Sequence, residues 1–290
     1  MSHDLPTFQQ NNILAIFFML LTGACMVAVM VTLRYTDESL PSIQVAFIRY
    51  LFGLVIIFPF AISELKVRNL KIPIVQHGIR GTLHGFGVVL WFYSVSQIPL
   101  SEVTAISYLT PIFTTIGAIV LFNERLTKQR SLAIITAIIG AILILKPGLE
   151  VISSGKSAQL LSTLLFAASY LITKILTKTE GIFLIVLMLN FFATITLLPF
   201  ALMSWITPSM YDLGLLLAIA ILATFGHYFV TTAVALAPLS VTQPVIFLQL
   251  IWSTLIGLLI FGEPVDFLII IGGGLIVFAI TQLAYSEKKM

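Results

Sequence analysis

The chain has 290 residues, of which 59% are apolar or aromatic and 9% are charged, with a formal net charge of +3. A soluble globular protein carries about 25% charged residues, so this composition excludes a water-facing surface and indicates an all-α integral membrane protein. The small net charge gives no support for a nucleic-acid partner. A single cysteine, Cys25, excludes a disulfide framework or a thiolate metal site within one chain.

Long apolar runs separated by charged, proline-containing or Gly/Ser-rich stretches predict ten transmembrane helices. In chain order the predicted spans are 12–33, 42–63, 76–97, 100–122, 131–146, 157–178, 182–203, 212–236, 240–261 and 266–285. Pro99 and Pro238 separate the third span from the fourth and the eighth from the ninth, because proline breaks a helix and favours the first turn of the next one. Each span takes about 20 residues, so no sizeable domain fits outside the membrane.

The cations are divided unequally between the two sides of this topology. Eleven lie on the side of both termini and the even-numbered loops: Lys66, Arg68, Lys71, Arg80, Arg125, Lys128, Arg130, Lys174, Lys178, Lys288 and Lys289. Arg34, Lys146 and Lys156 lie on the opposite side, and Arg49 lies within the second span. By the positive-inside rule, both termini are predicted to face the cytoplasm.

An internal repeat relates the two halves of the chain. Residues 98–124 match residues 237–263 at an offset of 139, with identities that include Pro99 with Pro238, Leu109 with Leu248 and Glu124 with Glu263. The spans therefore divide into one five-helix repeat over 12–146 and another over 157–285. Because five is odd, the second repeat must enter the membrane from the opposite side. Inverted repeats of this kind support alternating access around a site near the membrane midplane.

Several stretches carry a family resemblance. LSEVTAISYLTPIF, LFNERLTKQR and GAILILKPG, all within 100–148, resemble an EamA-type module of the drug/metabolite transporter superfamily, and the second half repeats the pattern with APLSVTQPVIFLQLIWSTLIGLLIFGEPVD and IGGGLIV. VAFIRYLFG, RGTLHGF, GHYF and WITPS are most similar to the branch with bacterial S-adenosylmethionine uptake and riboflavin carriers. The resemblance implies an inner-membrane carrier with a central cavity lined mainly by spans one, three, four, six, eight and nine.

The expected function is secondary transport of a small organic metabolite that resembles S-adenosylmethionine, riboflavin or an amino acid. An amino-acid or drug/metabolite exporter with the same fold is the alternative, and a non-transporting scaffold or sensor subunit is the alternative from another class. No phosphate-binding loop for ATP occurs in the sequence. Neither an enzyme nor a cofactor is expected, because polar groups at membrane depth are scattered. Transport direction, coupling to a proton or to an exchanged solute, and the choice between monomer and homodimer stay open.

Cations and histidines inside spans are the first candidate site residues. Arg49 lies deep in a span, where a charge costs about 2.5 kcal/mol or more unless it is paired or hydrated. It either anchors a substrate carboxylate or forms a gating ion pair, or it contacts backbone carbonyls or extends toward the outer face. His84 and His227 lie in the third and eighth spans and are predicted to bind substrate or to pack against a carbonyl. They lack the third partner of a zinc site.

Three glutamates are candidates for gating or coupling. Glu102 begins the fourth span, where a carboxylate is stabilised by the positive end of the helix dipole. Either this is its only role, or it takes up a proton and couples transport to the proton gradient, with Arg34 or Arg49 as its partner. Glu124 and Glu263 end equivalent helices of the two repeats. We expect each to accept hydrogen bonds from the backbone amides that begin the next helix, with a role in a gate as the alternative.

Aromatic and amide side chains on the predicted cavity helices complete the substrate-binding set, because such groups stack on a flat or cationic solute and hydrogen-bond its edge. They are Trp91, Tyr108, Tyr170, Tyr228, Gln249 and Trp252. Facing lipid is the alternative for each of the aromatic residues. Pro111 and Pro244 lie inside the fourth and ninth spans and are predicted to act as hinges, because proline leaves backbone carbonyls without a helical partner.

Overall fold

The computed structural model describes residues 11–67, 72–122, 127–146, 152–176, 180–237 and 239–287, and all regular elements within these ranges are α-helices. They are α1 (Asn12–Leu33), α2 (Ser42–Val67), α3 (Ile74–Gln97), α4 (Leu100–Ser107), α5 (Thr110–Phe122), α6 (Lys128–Leu145), α7 (Ser154–Leu176), α8 (Ile182–Met203), α9 (Met210–Leu236), α10 (Leu239–Phe261) and α11 (Phe267–Glu287). The expected all-α class is confirmed.

The fourth predicted span is two helices in the structure. α4 ends at Ser107, Tyr108 and Leu109 form a turn, and α5 begins at Thr110. Pro111 lies in the first turn of α5, where its missing N–H costs nothing, whereas it would break a continuous helix by clashing with the preceding turn. In contrast, α10 runs from Leu239 to Phe261 with Pro244 inside it. The two repeat-related prolines therefore differ in their effect on the helix.

Membrane character is concentrated in five segments of the described chain. Their length and apolar composition are sufficient to cross a bilayer: Asn12–Leu33, Ser42–Ile62, Leu100–Leu121, Ile182–Met203 and Met210–Val230. The segment Leu100–Leu121 joins α4 and α5 across the turn. Three shorter apolar helices, Ser131–Leu145, Leu248–Phe261 and Phe267–Gln282, add to these. Exposed leucine, isoleucine and phenylalanine side chains cover the outer faces of the helices, as expected for a surface in contact with lipid.

Helices of the first half pack mainly on helices of the second half. α1 lies along α9, α3 along α7, α2 against α8 and α6 against α11. Glycines allow two of these close approaches. An added Cβ at Gly81 of α3 would overlap the Phe192 Cβ of α8, and an added Cβ at Gly140 of α6 would lie 2.6 Å from the Gly272 carbonyl oxygen of α11. Small residues at such positions let helix backbones come close together in membranes.

Candidate functional site

One face of α3 carries a line of polar and aromatic side chains toward the protein interior. His77, His84 and Trp91 are spaced seven residues apart, and Arg80 lies between the two histidines. A spacing of seven corresponds to two helical turns, so these side chains share one face, and the line from His77 to Trp91 is about 21 Å long at 1.5 Å per residue. His77, Arg80 and His84 are buried, and Trp91 is partly buried beside the main hydrophobic core.

Arg49 is buried in α2, with 5% of its surface exposed. Its guanidinium lies 4.1 Å from the ring centroid of Tyr50, which gives the charge a cation–π partner. The Nη1 atom is buried and has no hydrogen-bond partner among the described residues. The Tyr50 hydroxyl donates to the His84 carbonyl oxygen at 3.4 Å and so links α2 to α3. The alternative that Arg49 extends toward the outer face is therefore wrong, because its side chain is enclosed by protein.

Arg80 is a functional candidate that the sequence analysis missed. The cation count places it on the side of both termini, where a solvent-facing side chain is expected, but only 7% of it is exposed. Its Nε donates to the Thr173 hydroxyl of α7 at 2.7 Å, and its Nη1 donates to the Ile185 carbonyl of α8 at 2.8 Å. These bonds draw the side chain inward. The signal available in the sequence was the spacing of His77, His84 and Trp91, which places Arg80 on the inward face.

His84 and His227 meet across the two halves of the chain. Their ring centroids are 5.5 Å apart at an interplanar angle of 61°, and Phe166 of α7 lies 4.8 Å from the His84 ring. Arg49 packs on the ring of Tyr50, which lies 6.4 Å from the His84 ring, and Arg80 is one turn before His84 in α3. We call Arg49, His77, Arg80, His84 and His227 the basic cluster. The structure thus brings together three of the predicted site residues, Arg49, His84 and His227.

Tyr170 of α7 is exposed on the inward side of its helix, next to the basic cluster. It shares a helical face with Thr163 and Gln159, seven and eleven residues earlier, and both of these are fully buried. Tyr170 is nevertheless 47% exposed, although it lies on the opposite side of α7 from the outward-facing Leu161 and Leu164. Arg80 binds Thr173, three residues after Tyr170 in α7. The exposed surface of Tyr170 therefore lies on the side of α7 that faces Arg80 and away from the outward-facing leucines.

Tyr108 and Gln249 lie near each other where α4 packs against α10. Tyr108 is buried in the turn between α4 and α5, and its hydroxyl hydrogen-bonds with the Leu250 backbone of α10. Gln249 precedes Leu250 and lies beside Gly23 of α1, where an added Cβ would be 3.8 Å from the Gln249 Cβ. Tyr108 is buried and Gln249 is partly buried; their role in substrate binding stays a prediction.

Tyr228 and Trp252 lie on exposed outer faces. Tyr228 is 37% exposed, shares a face of α9 with Leu217 and Ile221, and stacks on Phe183 of α8 with ring centroids 6.1 Å apart. Trp252 is 50% exposed on α10, on the same face as other exposed leucines. Neither side chain points toward the basic cluster, because the rotation of a helix about its axis sends neighbouring residues in different directions.

A second polar centre closes one end of the helix bundle. Glu263 Oε1 pairs with Arg34 Nη2 at 2.9 Å, and Glu263 Oε2 accepts from the Leu100 N–H at the start of α4 at 2.9 Å. Arg34 also donates through Nη2 to the Ile98 carbonyl at 2.7 Å and through Nε to the Val95 carbonyl. We call Arg34, Glu263 and the Leu100 amide the latch. The prediction that Glu263 would bind the amides of the following helix is wrong, because it binds α4 of the other half.

Two further ion pairs lie at the same end. Lys156 Nζ is 3.4 Å from Glu102 Oε2, and Lys146 Nζ is 2.6 Å from Asp266 Oδ2. Glu102 lies in the first turn of α4 as expected, but its ion-pair partner is Lys156 and neither Arg34 nor Arg49. The bond from Lys146 holds the pKa of the Asp266 carboxyl below its ordinary value. Glu124 lies outside the described residues.

Metal chemistry has no visible ligand set in the described part of the chain, where no three His, Cys, Asp or Glu side chains are grouped to hold an ion. The chemistry available at the basic cluster is instead that of cations, imidazoles and aromatic rings. Such groups bind the charged and flat parts of an organic solute by ion pairing and stacking.

Comparisons with known proteins agree with a carrier-like arrangement. A sequence model of the EamA-like transporter family matches the chain twice, at residues 13–146 and 153–285. A solved crystal structure with 16% sequence identity aligns over 94% of this chain and 95% of that chain, with a TM-score of 0.62. At this level of identity the similarity shows a shared fold.

Curated relatives cover most of the chain. An S-adenosylmethionine uptake transporter of Rickettsia prowazekii is 30% identical over 264 residues, which are 88% of this chain and 87% of that protein. A riboflavin transporter of Brucella anthropi is 28% identical, covering 78% of this chain and 82% of its own length. The pseudopaline exporter CntI of Pseudomonas aeruginosa is 24% identical, with 88% and 90% covered.

Proposed function

The chain belongs to the EamA-like transporter family, and on that premise we propose that it is a secondary carrier of the bacterial inner membrane that moves an S-adenosylmethionine-like solute by alternating access. Family membership identifies the chain as a multi-pass membrane transporter of small metabolites rather than an enzyme. The proposal adds the mechanism, the membrane and the solute.

One observation carries the proposal: charged and aromatic groups from both halves meet in the protein interior. Arg49 and His84 of the first half lie with His227 of the second half, and the exposed surface of Tyr170 lies on the inward side of α7 beside them. Ionisable groups inside a membrane protein are costly and mark substrate or ion pathways. Because the site lies between the halves, a movement of one half against the other exposes it first to one side and then to the other.

The packing of the helices supports two repeats, 12–146 and 157–285, related by a pseudo-twofold axis. If α1, α2 and α3 are exchanged with α7, α8 and α9, the contact of α1 with α9 becomes the contact of α7 with α3, and both contacts are observed. The contact of α2 with α8 is unchanged by this exchange. If α6 is likewise exchanged with α11, the contact between these two helices is also unchanged. This pattern fits ten spans, with α4 and α5 counted as one, and inverted five-helix repeats.

The distribution of cations supports the proposed orientation after Arg80, which is buried, is removed from the count. Ten Lys and Arg residues then lie on the side of the termini, against Arg34, Lys146 and Lys156 on the other side. The imbalance still favours cytoplasmic termini by the positive-inside rule. On this orientation the latch lies at the outer end and closes the pathway from outside.

We assign gating to Glu263 through the latch and to Glu102 through its pair with Lys156. Each glutamate ties α4 to a neighbouring part of the bundle, so α4 cannot move away from this end without breaking these bonds. The turn at Tyr108 and Leu109, just before Pro111, is the hinge about which α4 moves relative to α5. Glu124 and Pro244, their counterparts in the repeat, keep the gating and hinge roles predicted from the sequence.

The solute assignment rests on the relatives and on the chemistry of the site. S-adenosylmethionine has a carboxylate for a guanidinium and an adenine ring that stacks on aromatic side chains. Relatives named for S-adenosylmethionine uptake, riboflavin transport and pseudopaline export make import of the first solute the leading proposal and export of a related metabolite the second.

Reconstituted protein tests the proposal. We expect liposomes containing the protein to take up radiolabelled S-adenosylmethionine with saturable kinetics, and unlabelled S-adenosylmethionine to inhibit this uptake. His84→Ala should raise KM, whereas Trp252→Ala, on an exposed outer face, is the matched control and should leave KM unchanged. Uptake no greater than in protein-free liposomes for S-adenosylmethionine, riboflavin and amino acids, in either loading direction, contradicts the carrier function.

A further inference from the structure

The basic cluster holds two buried guanidinium groups and lacks a carboxylate partner. Arg49 and Arg80 are 5% and 7% exposed, and neither forms an ion pair with an Asp or Glu in the part of the chain that the structure describes. Among the described residues, Arg34, Lys146 and Lys156 each pair with a carboxylate. In contrast, Arg49 has a cation–π contact and Arg80 has neutral hydrogen-bond acceptors, and a buried charge without an opposite charge is costly.

Hydrogen-bonding groups in the cluster are left unused. Nη1 of Arg49 and both ring nitrogens of His77 are buried without a hydrogen-bond partner in the described ranges. Arg80 uses Nε and Nη1 to bind Thr173 and Ile185, and Nη2 takes no part in these two bonds. A buried donor left unsatisfied costs about 1–3 kcal/mol, so a ligand that accepts these hydrogen bonds gains what the free protein lacks.

Exposed surface on the inward side of α7 indicates space for a ligand beside these groups. Tyr170 is 47% exposed there, three residues before Thr173, which Arg80 binds. The His84 ring lies 6.4 Å from the ring of Tyr50, on which Arg49 packs, and the ring of Phe166 borders His84 at 4.8 Å. The charged donors are thus at one side of an internal space, with aromatic rings beside them.

From these observations we propose that Arg49 and Arg80, with His77, bind an anionic group of the transported solute, so that the carrier selects solutes with a carboxylate or a phosphate. This inference rests on the proposed carrier function and adds Arg80 and His77 to the binding site. A guanidinium fork matches the oxygens of either group. A solute that is only cationic gains nothing at this centre and is repelled by it.

Stability of the purified protein tests anion binding without any transport. Ligands that bind the folded state raise its melting temperature, so we expect citrate and inorganic phosphate to raise the Tm of the wild-type protein above that in chloride at equal ionic strength. Arg49→Gln and Arg80→Gln should lose this difference, and Lys128→Gln, which removes an exposed cation of α6, should keep it. A response to citrate alone, or to phosphate alone, identifies which anion the site prefers.

The same measurement separates binding from a structural role. If Arg80 served only to tie α3 to α7 and α8, Arg80→Gln would lower the Tm in chloride but leave the response to citrate and phosphate intact, and this result would overturn the proposal. Equal responses of wild type, Arg49→Gln and Lys128→Gln would also overturn it, because a general salt effect does not depend on one buried side chain.

Transport competition tests the consequence for selectivity. We expect S-adenosylmethionine to inhibit uptake about ten- to a hundredfold better than decarboxylated S-adenosylmethionine, as estimated from one lost charge-assisted hydrogen bond, and this ratio to approach one in Arg80→Gln. Equal inhibition by the two compounds in the wild type, or efficient uptake of riboflavin, which has no anionic group, overturns the inference and leaves the carrier function standing. Absence of any flux contradicts the carrier function, and anion binding is then decided by the Tm measurements.

Discussion

Glu263→Gln is expected to loosen the latch at one end of the helix bundle. In the wild type the carboxylate pairs with Arg34 at 2.9 Å and accepts from the Leu100 N–H at 2.9 Å. Glutamine keeps a carbonyl oxygen that accepts from the Leu100 amide but carries no charge for Arg34. The substitution therefore removes the ion pair selectively and leaves the cap on α4.

The size of the effect follows from how well the pair is shielded from water. The side chains of Arg34 and Glu263 are 20% and 11% exposed, between the fully exposed pairs that contribute about 0–1 kcal/mol and the buried pairs whose disruption costs about 3–5 kcal/mol. We take about 2 kcal/mol for the loss. At 1.36 kcal/mol per factor of ten, the population of the state open at this end rises about 30-fold.

A buried thiol behind the latch measures this population. Ser101 follows Leu100 in α4 and is buried, and cysteine is close to serine in size. In a Cys25→Ala background, which removes the only native thiol, Ser101→Cys should react with a membrane-impermeant maleimide about 30-fold faster when Glu263→Gln is added. Glu38→Gln, which removes an exposed acid between α1 and α2, is the matched control.

Two results would refute this reasoning. Labelling of Ser101→Cys at the same rate with Glu263→Gln as with Glu38→Gln would mean that the ion pair does not hold this end closed. Additive effects of Arg34→Gln and Glu263→Gln on labelling would mean that the two side chains act independently, because residues in one ion pair give a coupling energy in a double-mutant cycle.

Three other substitutions test packing, an ion pair and proton coupling. Gly81→Ala should lower the Tm, because overpacking against α8 removes about 1–3 kcal/mol of folding stability. Gly214→Ala is the control and should not lower it, because nothing lies within 4 Å of an added Cβ there. Equal effects of the two substitutions contradict the packing of Gly81 against α8. Asp266→Asn should remove about 0.5–1 kcal/mol at pH 7. The resulting difference in Tm should shrink as the pH falls below 3.8, the ordinary pKa of the carboxyl, and should disappear only below the pKa that Lys146 lowers in the folded protein; a pH-independent difference refutes the ion pair. Glu102→Gln should leave the external pH profile of uptake unchanged, since its carboxylate serves as an ion-pair partner; a shifted profile indicates proton coupling.

Helix positions were predictable from the sequence, because a membrane-spanning helix is a local property of about 20 apolar residues. Each predicted span agrees with the structure to within four residues at either end, and the span 182–203 coincides with α8. A disturbance near Pro111 was predictable for the same reason, since the steric effect of proline reaches only its own preceding turn. That Pro244 lies in an uninterrupted α10 was not, because the neighbours of a helix decide whether it continues through a proline.

Side-chain directions were not predictable at the same level. Trp252 and Tyr228 belong to α10 and α9, which pack on α1 of the first half, but the rotation of those helices turns both side chains outward. Arg80 lies two turns inside α3, a position from which an arginine extends either to the surface or into the interior. Thr173 and Ile185, from α7 and α8, hold it inside, and these residues are about a hundred positions away in the chain.

By itself, the sequence determined the family and most helix positions and predicted a five-plus-five repeat, because each of these depends on residues close together in the chain or at one fixed offset. Only the tertiary structure decided which charges meet. It placed Glu263 on α4 of the other half and Arg49 and Arg80 around His84 and His227, because ion pairs and hydrogen bonds depend on distances of a few ångströms between helices that the order of residues does not specify.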